Sequence, residues 1–185
     1  MIQYSQKKIW QNSCSYVAIL TNLSNLLDKQ LDYNDMIIWY NQIWSDGRWA
    51  LVNTTTIKNV LDWFNAYYKK NIELDMCTIM WALSRIKRWE MGYIGFRRNT
   101  ESAYDFQVDW VVNKCPIGKM QWWHSANLIW RDGVYVIIDN YFEERRHNEY
   151  IVSEPILLQM IANQIIRWAC YFFKQVQKKR MLKIK

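Results

Sequence analysis

Three residues of this chain have types and surroundings suited to nucleophilic acyl transfer: Cys14, His124 and Asp139. A thiol attacks as its thiolate, so it needs surroundings that favour the anion and a base that handles the protons. Cys14 falls in the first turn of a predicted helix, where a partial positive charge of about half an elementary unit favours thiolate over thiol. An imidazole can serve as general base and then acid, and a carboxylate on its far nitrogen fixes the tautomer. The oxyanion that develops on the attacked carbonyl also needs donors. The Cys14 backbone N–H and an upstream glutamine amide, from Gln6 or Gln11, are the candidates.

The elements that must position these groups follow from periodicity. After Asn12-Ser13, a capping pair, Tyr16, Leu20, Leu23 and Leu27 recur at the spacing of an amphipathic helix. Further helices are predicted from Tyr33 to Trp44, from Thr55 to Lys69 behind a threonine cap, and from Thr78 to Trp89. Beyond Met91 the pattern shifts to strands: Tyr93 to Phe96, then Trp122 to Arg131 and Val134 to Tyr141, joined at Asp132-Gly133. A two-residue turn there makes His124 face Tyr141 and Ala126 face Asp139. His124 and Asp139 then become diagonal neighbours on one face, roughly 7–8 Å apart at the backbone, a gap their side chains can close. The expected class is α+β, with a helical N-terminal part packed on a C-terminal antiparallel sheet.

Ser153-Glu154-Pro155 is a helix-start signal, and Leu157, Ile161, Ile165, Trp168, Phe172 and Val176 form an apolar stripe behind it. Ile156, Met160, Ile166, Ala169 and Phe173 widen that stripe. A C-terminal apolar helix is therefore expected, with surface to spare for self-association or docking into a larger assembly through residues 156–176. The expected division is a domain over residues 1–152 and a C-terminal helix with a basic tail over 153–185.

Composition limits the classes. With 185 residues, 51% hydrophobic and 16% aromatic, the chain can bury one core and is not disordered. Of the net charge of +7, six units come from Lys174, Lys178, Lys179, Arg180, Lys183 and Lys185, so the body is nearly neutral. Such a tail is a solvated end or, in a sharper reading, a contact for nucleic acid or an anionic membrane. Cys14, Cys77, Cys115 and Cys170 show no metal-ligand spacing, and neither metal nor cofactor is implied. The first residues lack the apolar run of a signal peptide, and the apolar stretch from Ile156 to Phe173 is interrupted by Gln159, Asn163, Gln164 and Arg167. A cytoplasmic location with reduced thiols is expected. The Asn-, Ile- and Lys-rich composition also suits an AT-rich phage source and, with it, a virion association.

Rival readings exist for single residues. A cysteine near a helix start is commonly a small buried hydrophobe. Cys115 precedes Pro116 and is a rival nucleophile without a helix start, and His147 lies in the charged stretch from Glu143 to Asn148.

Two stretches carry a resemblance. Ile2-Gln3-Tyr4-Ser5-Gln6 with Asn12-Ser13-Cys14-Ser15-Tyr16-Val17-Ala18-Ile19-Leu20 is similar to the opening of papain-like cysteine peptidases, especially the bacteriocin-leader-processing branch. Trp123-His124-Ser125-Ala126-Asn127-Leu128-Ile129 and Gly133-Val134-Tyr135-Val136-Ile137-Ile138-Asp139-Asn140-Tyr141 resemble that family's histidine strand and aspartate-ending strand. The resemblance implies a papain-like fold in which Cys14 is the nucleophile, His124 the base and then acid, Asp139 the orienting carboxylate and Gln6 the oxyanion-hole donor. It implies a thiol hydrolase that cleaves a peptide or isopeptide bond of a peptide or protein substrate through a thioester. A cell-wall amidase or endopeptidase on the same scaffold, and a non-catalytic assembly or virion protein retaining it, are the alternatives. Ser15 and Trp123 stand where the family commonly has glycine, and Trp123 bears on the width of the cleft.

Overall fold

The structure, a computed structural model, describes residues 1–10, 13–43, 54–97, 123–140, 149–155, 157–158 and 170–176, the side chains of 54–56, 96–97, 123–124 and 150 excepted. After a 3-10 turn at Gln6–Lys8, helix α1 spans Cys14–Leu27. Residues 15–24 of α1 are all buried, so this helix lies inside the molecule rather than on it. It stops where Asp28 adopts a left-handed conformation (φ 49°), and the Asp28 and Lys29 amides close onto the Asn25 and Ser24 carbonyls. Helices α2 (Tyr33–Ile43) and α3 (Thr54–Tyr68) follow, then strand β1 (Ile72–Cys77) and helix α4 (Ile79–Ile86). The helix expected to run to Trp89 gives way to a turn after Ile86, with Trp89 at φ 73°.

Strands β2 (Gly92–Arg97), β3 (Trp123–Arg131), β4 (Val134–Ile138), β5 (Glu149–Val152) and β6 (Cys170–Gln175) complete the described elements. They form one six-stranded sheet in the order β1-β6-β2-β3-β4-β5, every neighbour antiparallel. The class is α+β. The β3–β4 hairpin has the expected register, Arg131 opposite Val134 and Asn127 opposite Ile138. Its turn needs positive φ at both central residues, which Asp132 (52°) and Gly133 (82°) provide.

Two expectations are corrected. The helical first half contains a strand, β1. The C-terminal apolar helix does not run to Val176: residues 154–155 and 157–158 are helical, but Cys170–Gln175 is β6, inserted between β1 and β2, one strand in from the sheet's edge. Phe172 and Phe173 are therefore sheet residues, spent inside the fold rather than offered to a partner. The intervening residues 159–169 and the basic tail from 177 onward lie outside the described residues.

The physical reason lies in where β6 sits. Cys170 and Phe172 pack into a cluster with Ala82, Leu83 and Ile86 of α4, while Tyr171 and Phe173 pack into a second cluster with α1, α2 and α3. A strand covered on both faces is apolar at every position, so it lacks the alternation that marks a half-buried strand and matches a helical stripe as well. The sheet thus separates two cores. Among the described residues no helix is long and apolar enough to cross a membrane.

Candidate active site

Cys14 is the first residue of α1 and is partly exposed. Ser13, immediately before it, does not cap the helix as expected. Its hydroxyl donates to the Trp10 carbonyl at 2.6 Å and lies 3.3 Å from the Gln6 carbonyl, and it makes no bond to a first-turn amide. That arrangement ties the loop before Cys14 into a closed bend, because the Gln6 carbonyl also accepts from the Ile9 and Trp10 amides. The eight-residue separation between Gln6 and Cys14 is folded away by these bonds.

Gln6 is buried, and its backbone N–H donates to the Asn140 carbonyl at 2.8 Å. Asn140 follows Asp139, which comes just after the last residue of β4 and is itself buried at 1% exposure. The Asn140 side chain accepts from Thr21 Oγ1 of α1 at 3.2 Å. One residue thus holds the N-terminal segment, the buried helix and the end of β4 together. Gln11, the other glutamine candidate, lies outside the described residues, as do Cys115 and His147.

His124 is the second residue of β3, with its Cα paired to Phe96 of β2. The side chains of Trp123 and His124 lie outside what the structure describes. The next residue, Ser125, is buried, and its Oγ lies 3.1 Å from Ser15 Oγ, on the residue after Cys14. Tyr93 of β2 donates its hydroxyl to Ser125 at 3.0 Å. Burial, more than any neighbour, pushes the Tyr93 hydroxyl far above its ordinary range, with the nearby Cys14 adding to the rise, so Tyr93 stays protonated and stays a donor. Burial followed by Cys14 likewise raises Tyr40 of α2. The charge of a Cys14 thiolate thus reaches two phenols, one on α2 and one on the sheet.

Farther along α1 the same device repeats. Asn22 donates to the Met91 carbonyl at 3.0 Å and to Asn127 Oδ1 at 3.3 Å, and Asn127 returns a bond to the Ala18 carbonyl at 3.0 Å. A buried helix with polar residues on its sheet-facing side must find partners for them, and each partner fixes the helix along and around its axis. Alternation along β3 places Ser125 and Asn127 on the α1 side and Ala126 and Leu128 in the α4-side core. By register, His124 belongs to the alternate set from Ser125, at the strand's entry.

No family model and no curated protein matches the chain. The case for the site is therefore its geometry.

The structure brings the backbones of Gln6, Cys14, His124 and Asp139 to one end of the sheet, each linked through an immediate neighbour or directly. The positioning residues Ser15, Thr21, Tyr93, Ser125 and Asn140 escape a reading of the sequence. Isolated hydroxyls and amides carry no periodic signal, and only the Asp139-Asn140 pair, two polar residues ending an apolar strand, marks the place. Among the described residues no group of three His, Cys, Asp or Glu side chains converges as a metal would require.

Proposed function

We propose that this chain is a papain-like thiol hydrolase that cleaves a peptide or isopeptide bond. Cys14 attacks the carbonyl carbon; the Cys14 amide and the Gln6 side chain stabilise the oxyanion; His124 protonates the departing amine; and a thioester on Cys14 remains. Water activated by His124 then hydrolyses the thioester, with Asp139 orienting the imidazole throughout.

The observation that carries this reading is a pair of contacts one step removed from the chemistry. The Ser15–Ser125 contact at 3.1 Å joins the residue after Cys14 to the residue after His124, and the Gln6–Asn140 bond at 2.8 Å joins Gln6 to the residue after Asp139. These joins bring the backbones of residues distant in sequence to one end of the sheet, with Ser125 rather than His124 on the α1 side of β3. Ser15, a departure from the glycine of the resembling family, is used here as half of that join.

Iodoacetamide labelling across pH tests the proposal on the native chain. The expected result is selective alkylation of Cys14 near neutral pH, slowed at least tenfold by His124→Ala, with Cys14→Ala abolishing turnover of a peptide library while the circular dichroism spectrum stays unchanged. Labelling of Cys14 only after denaturation, or at the same rate in His124→Ala, overturns it. Release of amino groups from peptidoglycan but not from peptides moves the substrate class to the cell wall.

A further inference from the structure

We propose that Cys77 and Cys170 form a covalent modification site, a dithiol that a small-molecule disulfide oxidises to a cross-strand disulfide. The two cysteines are far apart in sequence, yet β1 pairs with β6 so that Cys77 and Cys170 are directly opposed. Opposed residues of an antiparallel pair have Cα atoms about 4.5–5.5 Å apart and side chains on the same face. That separation falls inside the range of roughly 4.4–6.8 Å that a disulfide spans. Both residues belong to the α4-side core, Cys170 fully buried and Cys77 at its rim.

Access and acidity differ between the two thiols in the sense that exchange needs. Cys77 is partly exposed. Burial raises its thiol, while the Arg85 guanidinium beside it pulls in the opposite direction. Cys170 is raised farther, by full burial and then by the neighbouring Cys77. Cys77 is thus the attacking thiol and Cys170 the resolving one. In the dithiol form the Cys170 sulfur occupies space that exists only because residue 92 is glycine: a Cβ there would lie 2.6 Å from it. Rotation about the Cys170 χ1, from one staggered well to another, carries the sulfur from the β2 side toward β1.

The chemistry balances. Cys77 loses its proton to solvent and attacks one sulfur of a disulfide such as oxidised glutathione, expelling one thiolate and forming a mixed disulfide. Cys170 then loses its proton and attacks the Cys77 sulfur, expelling the second thiolate. Two protein thiols are oxidised and one small-molecule disulfide is reduced to two thiols. The product fastens the edge strand β1 to its neighbour β6 and closes a ring that contains α4 and β2 to β5.

Treating the native full-length chain with oxidised glutathione at mildly alkaline pH, followed by non-reducing peptide mapping, tests this. The expected product is a linked Cys77–Cys170 peptide pair, loss of two of the four thiols, and a raised Tm, all reversed by dithiothreitol. Cys170→Ala should stop the reaction at the Cys77–glutathione mixed disulfide, and Gly92→Ala, which fills the reduced-state space, should speed ring closure. Recovery of Cys77 as a stable mixed disulfide in the unaltered chain, or a link from either cysteine to Cys14 or Cys115, overturns it. The site is independent of the hydrolase reading, and Cys14→Ala should yield the same linked pair.

Discussion

Both faces of the sheet carry an apolar core, and they differ in what is added to it. The face toward α1 is fastened by directional bonds: Ser15 to Ser125, Tyr93 to Ser125, Asn22 to Asn127, Asn127 to the Ala18 carbonyl and Thr21 to Asn140. The face toward α4 is apolar, with Ala82, Leu83, Ile86, Ile94, Ala126, Leu128, Ile137 and Phe172 packed together and ion pairs only at the rim. Apolar contacts supply most of the burial free energy but accept many arrangements of similar volume. Hydrogen bonds between buried groups add less and permit few arrangements, because a small shift leaves a donor or acceptor unsatisfied in low dielectric. Helix α1, if it carries the nucleophile proposed above, benefits from these hydrogen bonds; α4, which covers the other face, has no such need.

Two substitutions break the comparison most directly. Phe172→Ala removes a fully buried ring that also carries the Arg85 guanidinium 3.8 Å above it. A loss of about 4 kcal/mol in urea unfolding is expected. The rate at which Cys14 of the folded fraction takes up iodoacetamide should not change. Asn127→Ala, on the other face, deletes the bond to Ala18 and leaves the Asn22 amide only its bond to the Met91 carbonyl. Its expected cost is smaller, about 2 kcal/mol. Yet here the Cys14 labelling rate should fall, since α1 loses a restraint on its axial position. If Phe172→Ala slows labelling as much as Asn127→Ala does, the division of labour between the faces is wrong.

The same contrast governs what could be read from the sequence. The α1 start at Cys14 and the β3–β4 register were legible, because a helical stripe and an Asp-Gly turn are local signals. Strand β6 was not, since two-sided burial erased its alternation and left Leu157, Ile161, Ile165, Trp168 and Phe172 spaced like a helix. Its pairing partner β1 went unread for a related reason. Glu73 and Asp75 alternate with Ile72, Leu74 and Met76 on an edge strand too short to stand out among helices. The trio Cys14, His124 and Asp139 was legible as residue types in suitable places. The bonds that bring their neighbours together were not, because Asn140, Ser125 and Tyr93 acquire meaning only through partners 32 to 134 residues away.

Alkaline pH probes the buried phenols on the α1 side, alongside the raised thiols of Cys77 and Cys170 and the raised Tyr135 hydroxyl on the α4 side. Tyr16 and Tyr93 are buried and held far above the ordinary tyrosine value of 10.0, desolvation being the largest cause for each. The sign follows from which state keeps its protons. Below pH 10 these two tyrosines are protonated in both states and their contribution is flat; above it the unfolded chain releases phenolic protons that the native chain retains, and stability declines. Each such tyrosine contributes a slope of about 1.4 kcal/mol per pH unit. Tyr93→Phe should remove one share of that slope in unfolding measured from pH 9 to 11, taken as approximate limits around the unfolded transition. An unchanged slope means that the Tyr93 hydroxyl is not buried against Ser125 as described.

The smallest effect is expected at the rim of the α4 side, where Lys87 Nζ and the Tyr135 hydroxyl both donate to Glu154 Oε2, at 3.0 and 3.1 Å. The Lys87 bond first, and then Tyr135, hold the Glu154 carboxyl below its usual range. A depressed carboxylate stabilises the fold above its unfolded pKa and ceases to do so as acidification passes its folded one. Both ionic side chains are more than a third exposed, so water and salt screen the attraction, and holding two flexible chains in one geometry opposes what remains. Glu154→Gln should therefore leave the melting temperature unchanged in physiological salt. Arg85 offers the contrast on the same rim: it is only 18% exposed, it binds Asp75 and Glu90 together, and its plane lies on Phe172. Arg85→Gln should lower the melting temperature clearly. Equal shifts for the two variants would mean that burial does not separate the rim contacts that stabilise this face from those that merely decorate it.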